Sequence, residues 1–158
     1  MSRRANREKV FQLLFSADYY ASEEMDEQIR LFFDDERDRF IEKKLEEAEE
    51  KGVKGAPEEL ILPASFAKNC EEVTKRVKSI LPLIPELDRQ LDEKIDGWDI
   101  SRIGRVELTV LRLALYEMLY DEEISQAVAI NEAVEIAKKY GQEKSSEFIN
   151  GVLAKFTA

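Results

Sequence analysis

ISRIGRVELTVLRLALYEMLY, residues 100–120, is the stretch whose reading decides the fold. Wound as a helix, it carries Ile103, Val106, Val110 and Leu113 on one side and Leu108, Leu111, Leu115 and Leu119 on another. A helix apolar on two faces has to be buried on both. As one continuous rod it would be about 30 Å long, the width of a small domain. It is expected to be a central post with other helices packed around it. Arg105 and Arg112, seven residues apart, are expected on the narrow side open to water. Glu107 and Glu117 interrupt the apolar surface elsewhere and require partners.

Downstream, an acidic turn at Asp121, Glu122 and Glu123 leads into ISQAVAINEAVEIAKKYG. Val128, Ala129, Ala133, Ile136 and Ala137 form an apolar face of mostly small residues, which allows close helix packing. Lys138 and Lys139 in the last turn and Gly141 after it match helix-end chemistry. Ser145 or Ser146 is expected to cap a final helix with Phe148, Val152 and Phe156 in the core and Ile149 and Leu153 beside them. Asn131 and Asn150 read as buried hydrogen-bonding residues. The segment 141–145 lacks the spacing of a phosphate-binding loop and follows no strand.

Upstream, Leu87, Leu91 and Ile95 predict a short helix that ends at Gly97 and Trp98. Pro82 and Pro85 interrupt the pattern before it. Pro63 precedes a helix in which Phe66, Cys70, Val73, Val77 and Leu81 keep helical spacing, with Cys70 as a buried thiol. At the N-terminus Ser2 is expected to cap a helix to about Tyr20 carrying Val10, Phe11, Leu14, Phe15 and Ala17. Ser22, Glu23 and Glu24 start another, with Met25, Ile29, Phe32 and Phe33 on its apolar face. Beyond it residues 34–54 are mostly charged and read as a solvated helix followed by a loop over 52–57. The prediction is an all-α chain, a compact bundle of about six to seven helices. It forms a single domain over 1–158 with helical halves at about 1–81 and 86–158 and a charged connection over about 34–60.

Composition narrows the chemistry. The 158 residues contain no histidine and one cysteine, which excludes Ser/His/Asp and Cys/His nucleophile systems, the common zinc sites and an internal disulfide. No catalytic residue, metal site or cofactor is expected, and the chain reads as a non-enzyme. No stretch has the length and apolarity of a signal sequence or a membrane span, so a soluble cytoplasmic protein is expected. The net charge of -10 is unevenly spread. Residues 22–60 hold 15 acidic and 7 basic side chains, whereas residues 2–9 hold Arg3, Arg4, Arg7 and Lys9 against Glu8 alone. Arginines in a first turn oppose the helix dipole, so they point to something outside the helix. A solubilising or frayed terminus is the other reading, and the sequence leaves both open.

Four blocks together resemble the NusB family of transcription antitermination factors. They are RRxxRE near the start, RVELTVLRLALYEM at 105–118, AINEAVEIAKKYG at 129–141 and FINGVL at 148–153. Residues 20–62 match only loosely and look longer and more charged than that family's connection. The resemblance implies a NusB-like bundle of two helical subdomains that binds boxA single-stranded RNA together with NusE, a ribosomal small-subunit protein. It also implies membership of the RNA polymerase antitermination complex and a role in ribosomal RNA transcription. A NusB-like domain also fronts some ribosomal RNA methyltransferases; with the chain ending at Ala158, the free-standing factor is expected.

Carried over position by position, Arg3, Arg4 and Arg7 match the family's arginine-rich RNA-contacting start. A guanidinium can grip phosphate with two donors or lie against an unstacked base. Phe15 stands where many relatives have tyrosine, so stacking on RNA and packing in the core are both open. Lys144 and Ser145 lie in the loop that maps to the RNA side. Lys144 replaces a usual acid, Glu147 stands where a basic residue is usual, and Ser125 replaces a proline, which should loosen a helix start. Glu107, with Arg105 beside it, maps near the NusE-binding surface; a pairing of Glu107 with a side chain from another helix is the alternative. A helical protein-interaction scaffold without direct RNA binding is the competing function.

Overall fold

The computed structural model describes residues 3–52, 62–95 and 99–157. The expected helix cap at Ser2 and helix end at Gly97 and Trp98 lie outside them, as does the loop beyond Gly52. Seven α-helices and no strand occur among the described residues: α1 (Arg3–Ala17), α2 (Met25–Glu50), α3 (Ala64–Ile80), α4 (Ile84–Lys94), α5 (Arg105–Tyr120), α6 (Gln126–Tyr140) and α7 (Ser145–Ala154). The post is α5, which packs against α1, α4, α6 and α7. Every residue of α5 from Thr109 to Leu115 is buried, as two apolar faces demand. One core cluster takes in Val10, Phe11 and Leu14 from α1, Val73 and Val77 from α3, Leu87 and Leu91 from α4, and Ile149 and Leu153 from α7.

The post is shorter than its sequence suggested. Ile100–Arg102 forms a separate 3-10 turn whose start is held by the Asp99 side chain accepting from the Ser101 N–H at 3.0 Å. Ile103 is extended, and Gly104 is the residue before α5. A Cβ on Gly104 would lie 2.3 Å from the Glu107 carboxylate, so a glycine lets that side chain fold back over the helix start.

Other expectations change in physically informative ways. Arg112 does not face water: its side chain is 9% exposed, because Asp18 and Asp88 from other elements cover it. Leu119 and Val128, read as apolar-face residues, are exposed. Asn131 and Asn150 are exposed rather than buried, each falling on the outer side of its helix. Cys70 is half-buried, and Asn69 beside it is the buried residue of that turn. Ser125 caps α6 through its hydroxyl, which accepts from the Val128 N–H at 3.2 Å, so the helix start is fastened rather than loosened. Gly141 closes α6 without a left-handed backbone. It has to be glycine because a Cβ would meet the Ala137 carbonyl and the Ser145 side chain at 2.7 Å. Neither Ser145 nor Ser146 occupies the cap of α7, which is Lys144.

The charged stretch continues α2 as a single helix to Glu50. Its outer face carries Arg30 with Glu27 and Asp34, Arg37 with Asp34, and Arg39 with Asp35. The Lys9–Glu36 pair at 3.0 Å ties α2 to α1. Pro82 lies in a 3-10 turn over Leu81–Leu83 and Pro85 in the first turn of α4. There a missing N–H costs no helical hydrogen bond.

Candidate nucleic-acid interface

The three N-terminal arginines come to one end of α1 but in three different states. Arg3 is exposed, and its side chain makes no hydrogen bond or ion pair among the described residues. Arg4 is 65% exposed and forks onto Glu132 of α6, with Nε and Nη2 each 2.9 Å from a carboxylate oxygen. Arg7, one turn further in, is only 11% exposed. Its Nε donates to Glu117 of α5 at 2.8 Å, and its Nη1 lies 3.7 Å from Glu132. Glu117, one of the two acids on the apolar post that required a partner, thus meets the innermost arginine.

The surrounding electrostatics follow burial. Desolvation pushes the Glu117 carboxyl above its ordinary value although Arg7 pulls it down. The exposed fork of Arg4 holds Glu132 below the usual carboxylate range. Alongside these residues lies a cleft of about 940 Å³ between α1, α3, the end of α5 and the start of α6. Arg3, Arg4 and Arg7 line it together with Lys75 and Arg76 of α3, Tyr116 and Tyr120 of α5, and Glu132.

A second group gathers at the far end of α1. Phe11, Phe15 and Tyr19, four residues apart, form a ladder with ring centroids 6.2 and 6.1 Å apart. Phe15 is half-buried against the core. The Arg105 guanidinium carbon lies 4.7 Å from the Tyr19 ring centroid, and its Nη1 is 3.4 Å from Asp18. Phe15 and Arg105 therefore meet through Tyr19, a residue the sequence reading passed over. Its four-residue spacing from Phe15 was the available signal.

A third group joins α5 to the loop before α7. The buried Ser145 hydroxyl donates to Glu107 at 2.5 Å and accepts from the Gln142 N–H at 2.9 Å, so it is fully engaged within the fold. Glu107 is paired across helices, and Lys144, the residue before Ser145, is exposed. Tyr116, Tyr120, Arg76 and Glu132 line the cleft as well, and the sequence reading did not single them out. Tyr116 and Tyr120 share a helix side at the usual spacing of four, but only packing against α3 reveals the cleft beside them. No group of three or more potential metal-ligating residues occurs among the described residues, and no helix there is long and apolar enough to cross a membrane.

Comparison with known proteins covers almost the whole chain. The model of the NusB family matches residues 4–158. A transcription antitermination protein NusB of Agathobacter rectalis is 35% identical over 156 residues, covering 99% of this chain and 99% of its own. The solved structure of T. maritima NusB superposes with a TM-score of 0.66 at 30% identity, over 98% of this chain and 89% of the other. A structure of antitermination factors NusB and NusE in complex with dsRNA has a TM-score of 0.62 at 24% identity, over 96% and 92%, and shows the shared fold.

Proposed function

This chain belongs to the NusB family, and from that premise we propose that it is an RNA-binding transcription antitermination factor. It binds boxA single-stranded RNA jointly with NusE, within the RNA polymerase antitermination complex of the bacterial cytoplasm, and supports ribosomal RNA transcription. It works as an adaptor and not as a catalyst. The observation that carries this reading is the match to NusB proteins over nearly the full length. The cationic edge of α1 supplies its physical counterpart: a fork already formed on a carboxylate at 2.9 Å has the geometry to take phosphate.

Within this reading Arg3 and Arg4 contact phosphate, and Lys144 adds a third cation from the α7 loop. Arg7 holds the edge from behind. Phe15 and Ser145 act by supporting the surface, the first through Tyr19 and the second through Glu107. Glu107 and Arg105 belong to the face that meets NusE.

A few phosphate contacts give modest affinity, so the second protein contributes the rest. With three or four contacts to a single strand, binding weakens roughly twentyfold to fiftyfold for about a fourfold rise in salt. The test is co-purification with NusE followed by titration with boxA RNA, a scrambled strand and a duplex. Preferential, salt-sensitive binding of the boxA strand by the pair is expected. Equal indifference to all three RNAs, with or without NusE, would overturn the proposal.

A further inference from the structure

The cleft beside the arginine edge contains a feature that phosphate binding does not use. Tyr116 and Tyr120 are stacked, with ring centroids 5.6 Å apart and planes 22° apart. The Arg76 guanidinium carbon sits 5.3 Å from the Tyr116 ring centroid, and Arg76 Nη2 is fixed on Asp121 at 2.5 Å. Tyr120 remains 44% exposed. All four residues line the cleft that Arg3 and Arg4 line from α1.

We propose that Arg76, Tyr116 and Tyr120 form a base-stacking subsite for single-stranded RNA, adjoining the Arg3 and Arg4 phosphate edge. An aromatic face stacks on any unpaired base, and such a platform is sequence-tolerant; here the exposed arginines at its edge, Arg3 and Arg4, are the groups placed to meet the backbone. A base inside a duplex is already stacked on both sides and offers no free face. The cleft, at about 940 Å³ and open to solvent on one side, has room to receive an unstacked base.

The charges of the cleft explain why stacking carries the contact. Glu117, Glu132 and Asp121 are each held by an arginine. Arg3 and Lys75 have no ion pair among the described residues, while Glu72 and Glu123 also line the cleft. Attraction for phosphate there is therefore weak, and the tyrosine column supplies contact that salt does not screen. Arg76, locked between Asp121 and the Tyr116 ring, holds the column in place.

This inference rests on the chain being an RNA-binding factor, and the test separates the two. The full chain with NusE is titrated with boxA RNA carrying 2-aminopurine at successive positions. Quenching at one position is expected in the wild type, together with ultraviolet crosslinking to the segment 116–120. Tyr120→Ala is expected to weaken binding about tenfold and abolish that quenching, while Tyr120→Phe, which keeps the ring, recovers most of the loss. A wild type that binds RNA with no crosslink in 116–120, or a folded Tyr120→Ala variant that binds and quenches as the wild type does, would overturn the subsite and leave the factor intact. A wild type that binds no RNA would overturn both.

Discussion

Arg7 on α1 and Glu117 on α5 form an ion pair at 2.8 Å with both side chains almost out of water. Removing one partner of such a pair strands the other charge, which typically costs about 3–5 kcal/mol. Arg7→Ala is expected to lower the unfolding free energy by that amount in urea melts. Arg4→Ala, which breaks an exposed fork, should change it far less, because solvent screens that pair. In RNA titrations Arg4→Ala should also reduce the salt slope by about 0.7. Equal effects of the two substitutions on stability would contradict this division of labour.

Glu117 also sets a pH dependence of unusual sign. Its folded-state pKa is raised above 4.5 by burial, so the folded chain takes up this proton more readily than the unfolded chain. Its contribution is complete below the ordinary carboxylate value and is lost as pH rises through the raised one. Glu132 and Asp121, held low by Arg4 and Arg76, contribute in the opposite sense: their stabilisation is present above the ordinary value and lost as pH falls through their folded-state pKa values. Urea unfolding across this acid range is expected to show Glu117→Gln gaining on the wild type as pH rises. Parallel curves for the two proteins would refute the assignment.

These pairs mark where the sequence was readable and where it was not. The two-sided apolar pattern of α5 was enough to place it at the centre, because burial on two faces leaves no alternative. The same pattern assigned Arg112 to water, since periodicity fixes the side of a helix but not what covers that side. Asp18 lies 94 positions from Arg112 in the chain, and no local rule links them. Arg3, Arg4 and Arg7 looked equivalent as a cluster, and only the positions of Glu117 and Glu132 on two other helices separate an anchor from exposed contacts. Glu107 was legible as a residue in need of a partner, whereas Ser145 as that partner depended on the turn at Gly141.

Arg112 provides a direct measure of that hidden pairing. Its Nε and Nη2 meet the two Asp88 oxygens at 2.8 Å, and Nη1 reaches Asp18 at 3.2 Å. Arg112→Ala is expected to cost about 1.5–3 kcal/mol in urea unfolding, since Asp88 and Asp18 are partly solvated and Asp18 keeps Arg105. Arg112→Lys should fall between, since a point charge replaces a planar fork. A double-mutant cycle with Asp88→Asn should show strong coupling, and additive effects would mean the fork contributes little.

At the α5 to α7 corner, Gly104→Ala brings a methyl group against Glu107 Oε2, and the shift this forces on the carboxylate is expected to draw Oε1 off Ser145. Loss of the buried hydrogen bond should cost about 1–2 kcal/mol, and Ser145→Ala should cost about the same. The double variant should be little worse than either alone, because both remove one contact. If Glu107 also meets NusE, Gly104→Ala should weaken NusE binding measurably by calorimetry. Full additivity in stability with unchanged NusE affinity would reject the coupling.

The exposed fork between Arg4 and Glu132 implies that the proposed phosphate edge is restrained from within. An incoming phosphate has to share or displace a carboxylate already bonded at 2.9 Å through both arginine donors, and that carboxylate also repels it. Glu132→Gln removes the repulsion and retains an acceptor for Arg4. It should therefore tighten RNA binding severalfold at low salt, while Glu132→Ala, which also frees the arginine from its anchor, gains less. The gain should shrink as salt rises, because screening weakens the repulsion that has been removed. Weaker binding by Glu132→Gln would show the opposite role, with Glu132 orienting Arg4 for RNA instead of competing with it.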